Sequence, residues 1–215
     1  MSRRTWVVSG TDTGIGKTWL SIELCRALVD AGRSVAARKP VESFDPSDDA
    51  PDSELLARAT GEERDAVCPP DWRYPRALAP PMAAAILDRS IPSTSRIVEE
   101  LDVSEVDLLL VEGVGGPRSP LSADGDTVDL AHALGADDVI VVSDSGLGSI
   151  SRITLSVDAF APLTCHVLLN RFDHDDELHR LNRDWLLNSG VSVHSDPHDL
   201  ATCLLMSLDA PLEVR

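Results

Sequence analysis

Aromatic residues are scarce in this chain: eight of its 215 residues are Phe, Trp or Tyr. The core must therefore be filled mainly by Val, Leu, Ile and Ala. Basic residues are scarce too, with 19 Lys and Arg against 36 Asp and Glu, for a net charge of −17. Affinity for nucleic acid and for anionic lipid is built from Lys and Arg contacts to phosphate, so this balance argues against both partners. The four cysteines, Cys25, Cys68, Cys165 and Cys203, lie far apart and form no Cys-x-x-Cys pair. They read as reduced, mostly buried thiols of a cytoplasmic protein, not as zinc ligands or a disulfide frame. Long apolar runs are also missing. Arg3-Arg4 precedes an apolar run that stops at Val8, short of the about 7–15 residues a signal peptide needs. No stretch is long enough to span a membrane. Internal repeats and low-complexity linkers are absent, and the expectation is a single domain over residues 1–215, long enough to bury a substantial core.

What is present is an alternation of two patterns. Strand-like runs fall at 5–9, 34–39, 107–111, 138–143 and 165–169, with amphipathic stretches at 52–59, 95–101, 127–134 and 175–188. The runs Asp107–Val111 and Asp138–Val142 are nearly continuous apolar segments, as in strands buried on both faces of a parallel sheet. The alternation predicts an α/β fold: a doubly wound, mainly parallel sheet with helices on both faces. Ligands of such sheets bind beyond the carboxyl ends of the strands, so the residues following each strand are the ones to inspect. The segment 68–81, with five prolines, is expected to be one long irregular piece, either a loop near the site or a surface excursion. The acidic clusters 45–52 and 173–177 read as solvated loops, Asp52 excepted.

After the first run comes Gly10-Thr11-Asp12-Thr13-Gly14-Ile15-Gly16-Lys17-Thr18, followed by Trp19 and by Leu20, Ile22, Leu24 and Leu28 at largely helical spacing. This is the form of a phosphate-binding loop. Its glycines let backbone N–H groups turn inward, and the helix N-terminus adds partial positive charge. Lys17 then reaches the β- and γ-phosphates of a nucleotide, and the Thr18 hydroxyl ligates Mg²⁺. The first glycine of the usual pattern is displaced: Thr11 holds its place and Gly10 stands one step earlier.

The second run leads into Lys39-Pro40-Val41-Glu42-Ser43, where Lys39 can stabilise charge developing in phosphoryl transfer. The third ends in Glu112-Gly113-Val114-Gly115-Gly116, an acidic residue able to hold or orient Mg²⁺ beside glycines that permit close backbone approach. Asp52 opens an amphipathic stretch and is either its N-cap or a carboxylate ligand of Mg²⁺. Asn170 follows the fifth run, and its amide suits the N6/N7 edge of adenine or simply a turn.

Together these motifs resemble the dethiobiotin synthetase family. The matching residues are Gly10–Thr18, Lys39-Pro40-Val41 with Ser43, Asp52, Glu112–Gly116 with Pro120-Leu121, and Leu147-Gly148. The resemblance implies a homodimeric, P-loop NTPase-like protein that binds ATP and Mg²⁺ and acts on a small diamine, 7,8-diaminononanoate, and CO₂. A carbamate forms on one amine, the γ-phosphoryl group passes to its oxygen, and the second amine displaces phosphate to close a cyclic urea. Lys17 and Lys39 would be the catalytic cations, and Thr18, Asp52 and Glu112 the metal ligands. The nucleotide would lie against Asp12, Thr13, Gly14, Ile15, Gly16, Lys17, Thr18 and Trp19. Asp52, Glu112, Gly113, Val114, Gly115, Asn170 and Arg171 would complete its site. Ser43 would contact the diamine or carbamate, and Gly148, Ser149, Ile150, Ser151 and Arg152 would hold substrate across the dimer interface.

The chain departs from the family pattern at three places. Phe44 stands where a glycine is usual, Ser151-Arg152 replaces Asn-His, and a Pro-x-Leu-Gly-x-x-Pro stretch near the carboxyl end is absent. Three other classes compete with the leading reading. One is a synthetase that activates a carbamate or carboxylate on another amine, and one is a non-catalytic nucleotide-binding protein. The last is a partitioning-type ATPase, whose loop carries a signature lysine five positions before its main one; Asp12 stands there in this chain.

Overall fold

Two hydrophobic periodicities set the architecture. The computed structural model describes residues 3–101 and 105–209. Chain order begins with β1 (Arg4–Gly10), α1 (Lys17–Asp30), β2 (Val35–Arg38), β3 (Glu42–Ser43), α2 (Asp52–Thr60), α3 (Arg64–Val67) and β4 (Arg73–Tyr74). It continues with α4 (Pro80–Ile86), α5 (Thr94–Glu100), β5 (Leu108–Glu112), α6 (Thr127–Leu134) and β6 (Asp138–Ser143). It ends with α7 (Ser149–Ala159), β7 (Thr164–Leu169), α8 (Glu177–Asn188), β8 (Ser192–His194) and α9 (Pro197–Asp209). The five strand-like runs become β1, β2, β5, β6 and β7, and the four amphipathic stretches become α2, α5, α6 and α8.

Six strands form one parallel sheet in the order β2-β5-β1-β6-β7-β8. Side chains alternate across it. Trp6, Val8, Leu108 and Leu110 pack with Leu20, Leu24 and Leu28 of α1, Leu56 of α2, and Leu200 and Leu204 of α9. Val7, Leu109, Val111 and Val139 pack on the other face with Ile97 of α5, Leu130 of α6, Ile153 of α7 and Leu186 of α8. Each fully buried Leu or Val of this kind contributes about 1.5–3 kcal/mol. Helices thus cover both faces, which is the doubly wound arrangement the alternation predicts.

The chain leaves β1 toward β2 on one side, and after β5 it crosses to β6 on the other. This reversal puts a crevice beyond the carboxyl ends of β1, β2 and β5, the general ligand position in such sheets. Register then aligns the site: Val8 pairs with Glu112, and Arg38, the residue before Lys39, pairs with Val111.

The proline-rich segment differs from expectation. It holds a 3₁₀ turn (Pro70–Trp72), then β4, which pairs with β3 in a separate parallel ribbon, and it runs into α4. Prolines at the first positions of the turn and of α4 need no backbone N–H there, so they start these elements instead of breaking them. Among the described residues no helix is long and apolar enough to cross a membrane.

Candidate functional site

Helix α1 begins without a cap of its own. Gly16 is its N-cap at φ 107°, no side chain accepts a hydrogen bond there, and no acidic residue stands in the first turn. Its first N–H groups are therefore open to an anion. Gly16 cannot be replaced without strain: its φ is left-handed, and a Cβ would stand 2.2 Å from the Asn170 side-chain nitrogen. That nitrogen, Nδ2, donates to the carbonyl of Ile15 at 2.7 Å, and Asn170 Oδ1 accepts from the backbone N–H of Arg171 at 2.9 Å. Asn170 thus clamps the loop from the end of β7. The adenine-edge role expected from sequence competes with this bond for the same amide.

Five polar side chains from four segments meet beside the loop. Thr18 Oγ1 donates to Glu112 Oε1 at 2.8 Å, and Ser21 Oγ donates to Oε2 at 2.7 Å. Lys39 Nζ donates to Glu112 Oε1 at 2.7 Å and to the carbonyl of Gly113 at 3.1 Å, and it stands 2.8 Å from Asp52 Oδ2. Glu112 is fully buried, and Lys39 is nearly so. Burial alone would push the Lys39 ammonium toward neutrality, but the charges of Glu112 and Asp52 outweigh it and hold the pKa above the ordinary lysine value. Asp52 answers in kind: burial raises it, yet Lys39 and a hydrogen bond from Thr18 keep its carboxyl below the usual range. Lys17 lacks such a partner. Its Nζ donates to the carbonyl of Asp12 at 3.1 Å. Burial, then repulsion from Lys39, lowers its pKa from 10.5 to about 8. A cation left under-compensated in this way suits an incoming polyanion.

The capping alternative for Asp52 is not realised. Pro51 is the N-cap of α2 and offers no side-chain cap bond, and the Asp52 carboxylate goes to Lys39 instead. The acidic segment before it is exposed as expected, but Asp45 and Asp48 stand at the rim of a cavity.

That cavity, of about 620 Å³, runs from the phosphate-binding loop to the β3–β4 ribbon. Thr13, Gly14, Gly16, Lys17, Thr18, Trp19, Lys39, Ser43, Asp52, Val114 and Gly115 line it, as do Phe44, Leu78 and Ser119. Ser43 donates to the carbonyl of Leu78 at 2.6 Å, so the proline-rich segment supplies part of the wall. Asp12, Ile15, Glu112, Gly113, Asn170 and Arg171 belong to the loop and its supports and do not line the cavity. Residues 148–152 do not line it either. They form the N-terminus of α7, where Gly148 is the N-cap and Arg152 Nη2 meets both carboxylate oxygens of Asp144 at 2.8 and 2.7 Å.

Two participants went unnoticed in the sequence. Ser21 lies three positions after Thr18 on the same helix face, a polar residue beside Leu20 and Leu24, and that mismatch was its signal. Glu42 is buried and accepts from the N–H and hydroxyl of Ser53 at 2.8 and 2.7 Å, which fixes the start of α2 and with it Asp52. A glutamate opening a two-residue strand gave no such hint.

A family model described as an AAA domain matches residues 4–183. The chain is 36% identical over 183 residues to the ATP-dependent dethiobiotin synthetase BioD of Haloferax mediterranei, covering 82% of this chain and 76% of that protein. It is 37% identical over 197 residues to the enzyme of the same name from Rhodococcus erythropolis, covering 87% and 85%. The chain belongs to the dethiobiotin synthetase family. Its backbone is also similar to a plasmid partition protein from Borrelia burgdorferi, with a TM-score of 0.58 at 11% identity, covering 96% of this chain and 100% of that one. At that identity the likeness concerns the fold alone.

Proposed function

We propose that this chain closes a cyclic urea on 7,8-diaminononanoate, using CO₂ and ATP, as the dethiobiotin synthetase of its organism. It is an ATP-dependent carbon–nitrogen ligase, and one observation carries the finer reading: Lys39 is held between Glu112 and Asp52 beside an uncapped helix N-terminus. One amine of the substrate attacks CO₂ and loses a proton, giving a carbamate. The carbamate oxygen takes the γ-phosphoryl group as ADP leaves. The second amine then attacks the carbamoyl carbon, the C–O bond to phosphate breaks, and the ring closes. Lys17 and the first N–H groups of α1 bind and orient the phosphates. Lys39 neutralises charge on the transferring group and on the carbamate oxygen. Such chemistry rests on positioning and charge, and demands no general base with an unusual pKa.

The Thr18 hydroxyl and the Asp52 and Glu112 carboxylates are oxygen donors gathered beside Lys39, a set whose chemistry fits Mg²⁺. Those three side chains would hold the ion, which supplies neutralisation of phosphate charge. The chain acts as a homodimer in this reading, with residues 148–152 of one protomer completing the substrate site of the other. Leu147 and Leu155 at α7 and Trp185 on α8 are strongly exposed apolar side chains available for that contact. With its acidic balance it takes no nucleic acid or membrane as partner.

Phosphate release that requires both 7,8-diaminononanoate and bicarbonate tests the proposal, and ATPase activity indifferent to both would overturn it. A second reading, the same activation on another amine, is favoured by Phe44. Its ring forms part of the cavity wall where the family usually has glycine, and it narrows the space beside Ser43. A panel of diamines of differing chain length separates the two readings.

A further inference from the structure

A second cluster of chemistry lies at the far edge of the sheet, unconnected with the nucleotide cavity. His166 of β7, His194 of β8 and Cys203 of α9 each offer a ligand atom, and these atoms all lie within 4.8 Å of one another. Among the described residues no other trio of His, Cys, Asp or Glu converges in this way. Parallel pairing produces the arrangement: His166 is opposite Ser192 and Leu168 is opposite His194, so both imidazoles stand on one face of the sheet, two residues apart. Helix α9 covers that face through Leu200 and Leu204, and Cys203 lies between them in sequence. All three side chains are half-buried.

The polar surroundings of His166 prepare it as a ligand. The Asp138 carboxylate stands 3.4 Å from its Nε2 and is itself buried, which favours the proton on that nitrogen. The lone pair then belongs to Nδ1, which faces the Ser192 hydroxyl at 3.0 Å; that hydroxyl in turn is 3.4 Å from His194 Nε2. A carboxylate behind a histidine, orienting its ring, is the usual support of a metal-bound imidazole. Two imidazoles and a thiolate suit a borderline-soft ion that accepts tetrahedral geometry, with metal–nitrogen bonds of about 2.0 Å and a metal–sulfur bond of about 2.3 Å. Those bonds imply ligand separations of about 3.3–3.7 Å, which side-chain rotation of the order of 1 Å can supply.

We propose that His166 Nδ1, His194 Nε2 and Cys203 Sγ form a zinc-class metal site that ties α9 to the β7–β8 edge. The fourth position is open to water. The role is structural: β8 has only three residues and borders solvent on one side, and an ion shared by β7, β8 and α9 would hold that edge closed.

The test uses the untagged full-length chain, stripped with chelator and kept in excess Mg²⁺ so that carboxylate sites are filled. Titration with Co²⁺ should give one equivalent bound, with thiolate-to-cobalt charge-transfer absorption that Zn²⁺ displaces. Cys203→Ser should abolish that absorption, and Cys203→Ser and His194→Asn should each weaken Zn²⁺ binding at least tenfold. Asp138→Asn should weaken it about 10–100-fold, as loss of an outer carboxylate does. Zn²⁺ should raise the melting temperature of the wild type and not of Cys203→Ser. Absence of thiolate absorption in the wild-type cobalt titration, equal Zn²⁺ affinity in wild type and Cys203→Ser, or a melting temperature indifferent to Zn²⁺ would each overturn the proposal.

Discussion

Helices α1 and α6 both start just beyond a loop at the same end of the sheet, yet their N-termini are finished in opposite ways. At α6, Asp126 accepts from the N–H groups of Val128 and Asp129, and Asp129 accepts from the N–H of Asp126. Every demand for negative charge is met within the chain. At α1 the same demand goes unmet, and the side chains nearby are cations or are already engaged with Glu112. The difference teaches where stability and binding part company. A capping box is worth about 0.5–2 kcal/mol to the fold, and α1 forgoes it so that a ligand can supply the anion.

The strongest way to break this comparison is at Lys39. Lys39→Ala should lower amine-dependent phosphate release about 10²–10³-fold, the cost of losing one electrostatic donor in the transition state, while ATP affinity changes far less. Lys39→Arg should fail as well, because a planar guanidinium cannot sit between Glu112 and Asp52 as a compact ammonium does. Steady-state phosphate release and nucleotide titration of the same variants distinguish the two effects. Normal turnover by Lys39→Ala would sink the carbamate mechanism.

Lys17→Ala should weaken ATP binding about 10–100-fold, the equivalent of one charge-assisted hydrogen bond, and leave the melting temperature of the free protein unchanged or higher. Asp52→Asn should raise the Mg²⁺ concentration needed for turnover and lower the melting temperature modestly, through loss of the ion pair with Lys39 and not of a helix cap, since Pro51 is the N-cap of α2. Unchanged Mg²⁺ dependence would remove Asp52 from the metal set.

A pH series sharpens the contrast further. Lys17 has a folded pKa of about 8 against its ordinary 10.5. Between these values the native state sheds a proton that the unfolded chain keeps, so this lysine makes the nucleotide-free protein more stable as pH rises through that window. ATP needs the ammonium, so affinity for ATP should fall over the same window. Subtracting the profile of Lys17→Met from that of wild type isolates both trends. Asp126→Ala closes the series with the smallest effect: a loss of about 1 kcal/mol in urea unfolding, with ATP affinity untouched.

The sheet was legible in the sequence because its strands are buried on both faces and read as continuous apolar runs, and the phosphate loop because its glycines answer to backbone geometry. Less of the rest could be read. β8 is a short edge strand with half-buried residues, and the start of α9, where Asp196 accepts from the N–H of His198 ahead of Pro197, is marked only by an Asp-Pro pair that reads equally as a turn. Asp52 could be narrowed to two roles but not assigned, since the choice depends on Lys39 reaching it across 13 positions of chain. Ser21 and Glu42 act on partners brought near by folding. The cysteine spacing argued against metal ligands, yet spacing along a chain is blind to His166, His194 and Cys203 arriving from three separate elements.

The Asn170 clamp carries one more implication. Thr11 donates its N–H to Val142 and its hydroxyl to Ser143, and Asn170 holds Ile15 from the next strand over. Both flanks of the phosphate loop are therefore sewn to β6 and β7 by the protein's own hydrogen bonds. The conformational freedom of that loop is given up when the protein folds, not when ATP binds. Nucleotide association should accordingly behave as docking onto a rigid cradle, and variation in affinity should appear in how fast ATP leaves.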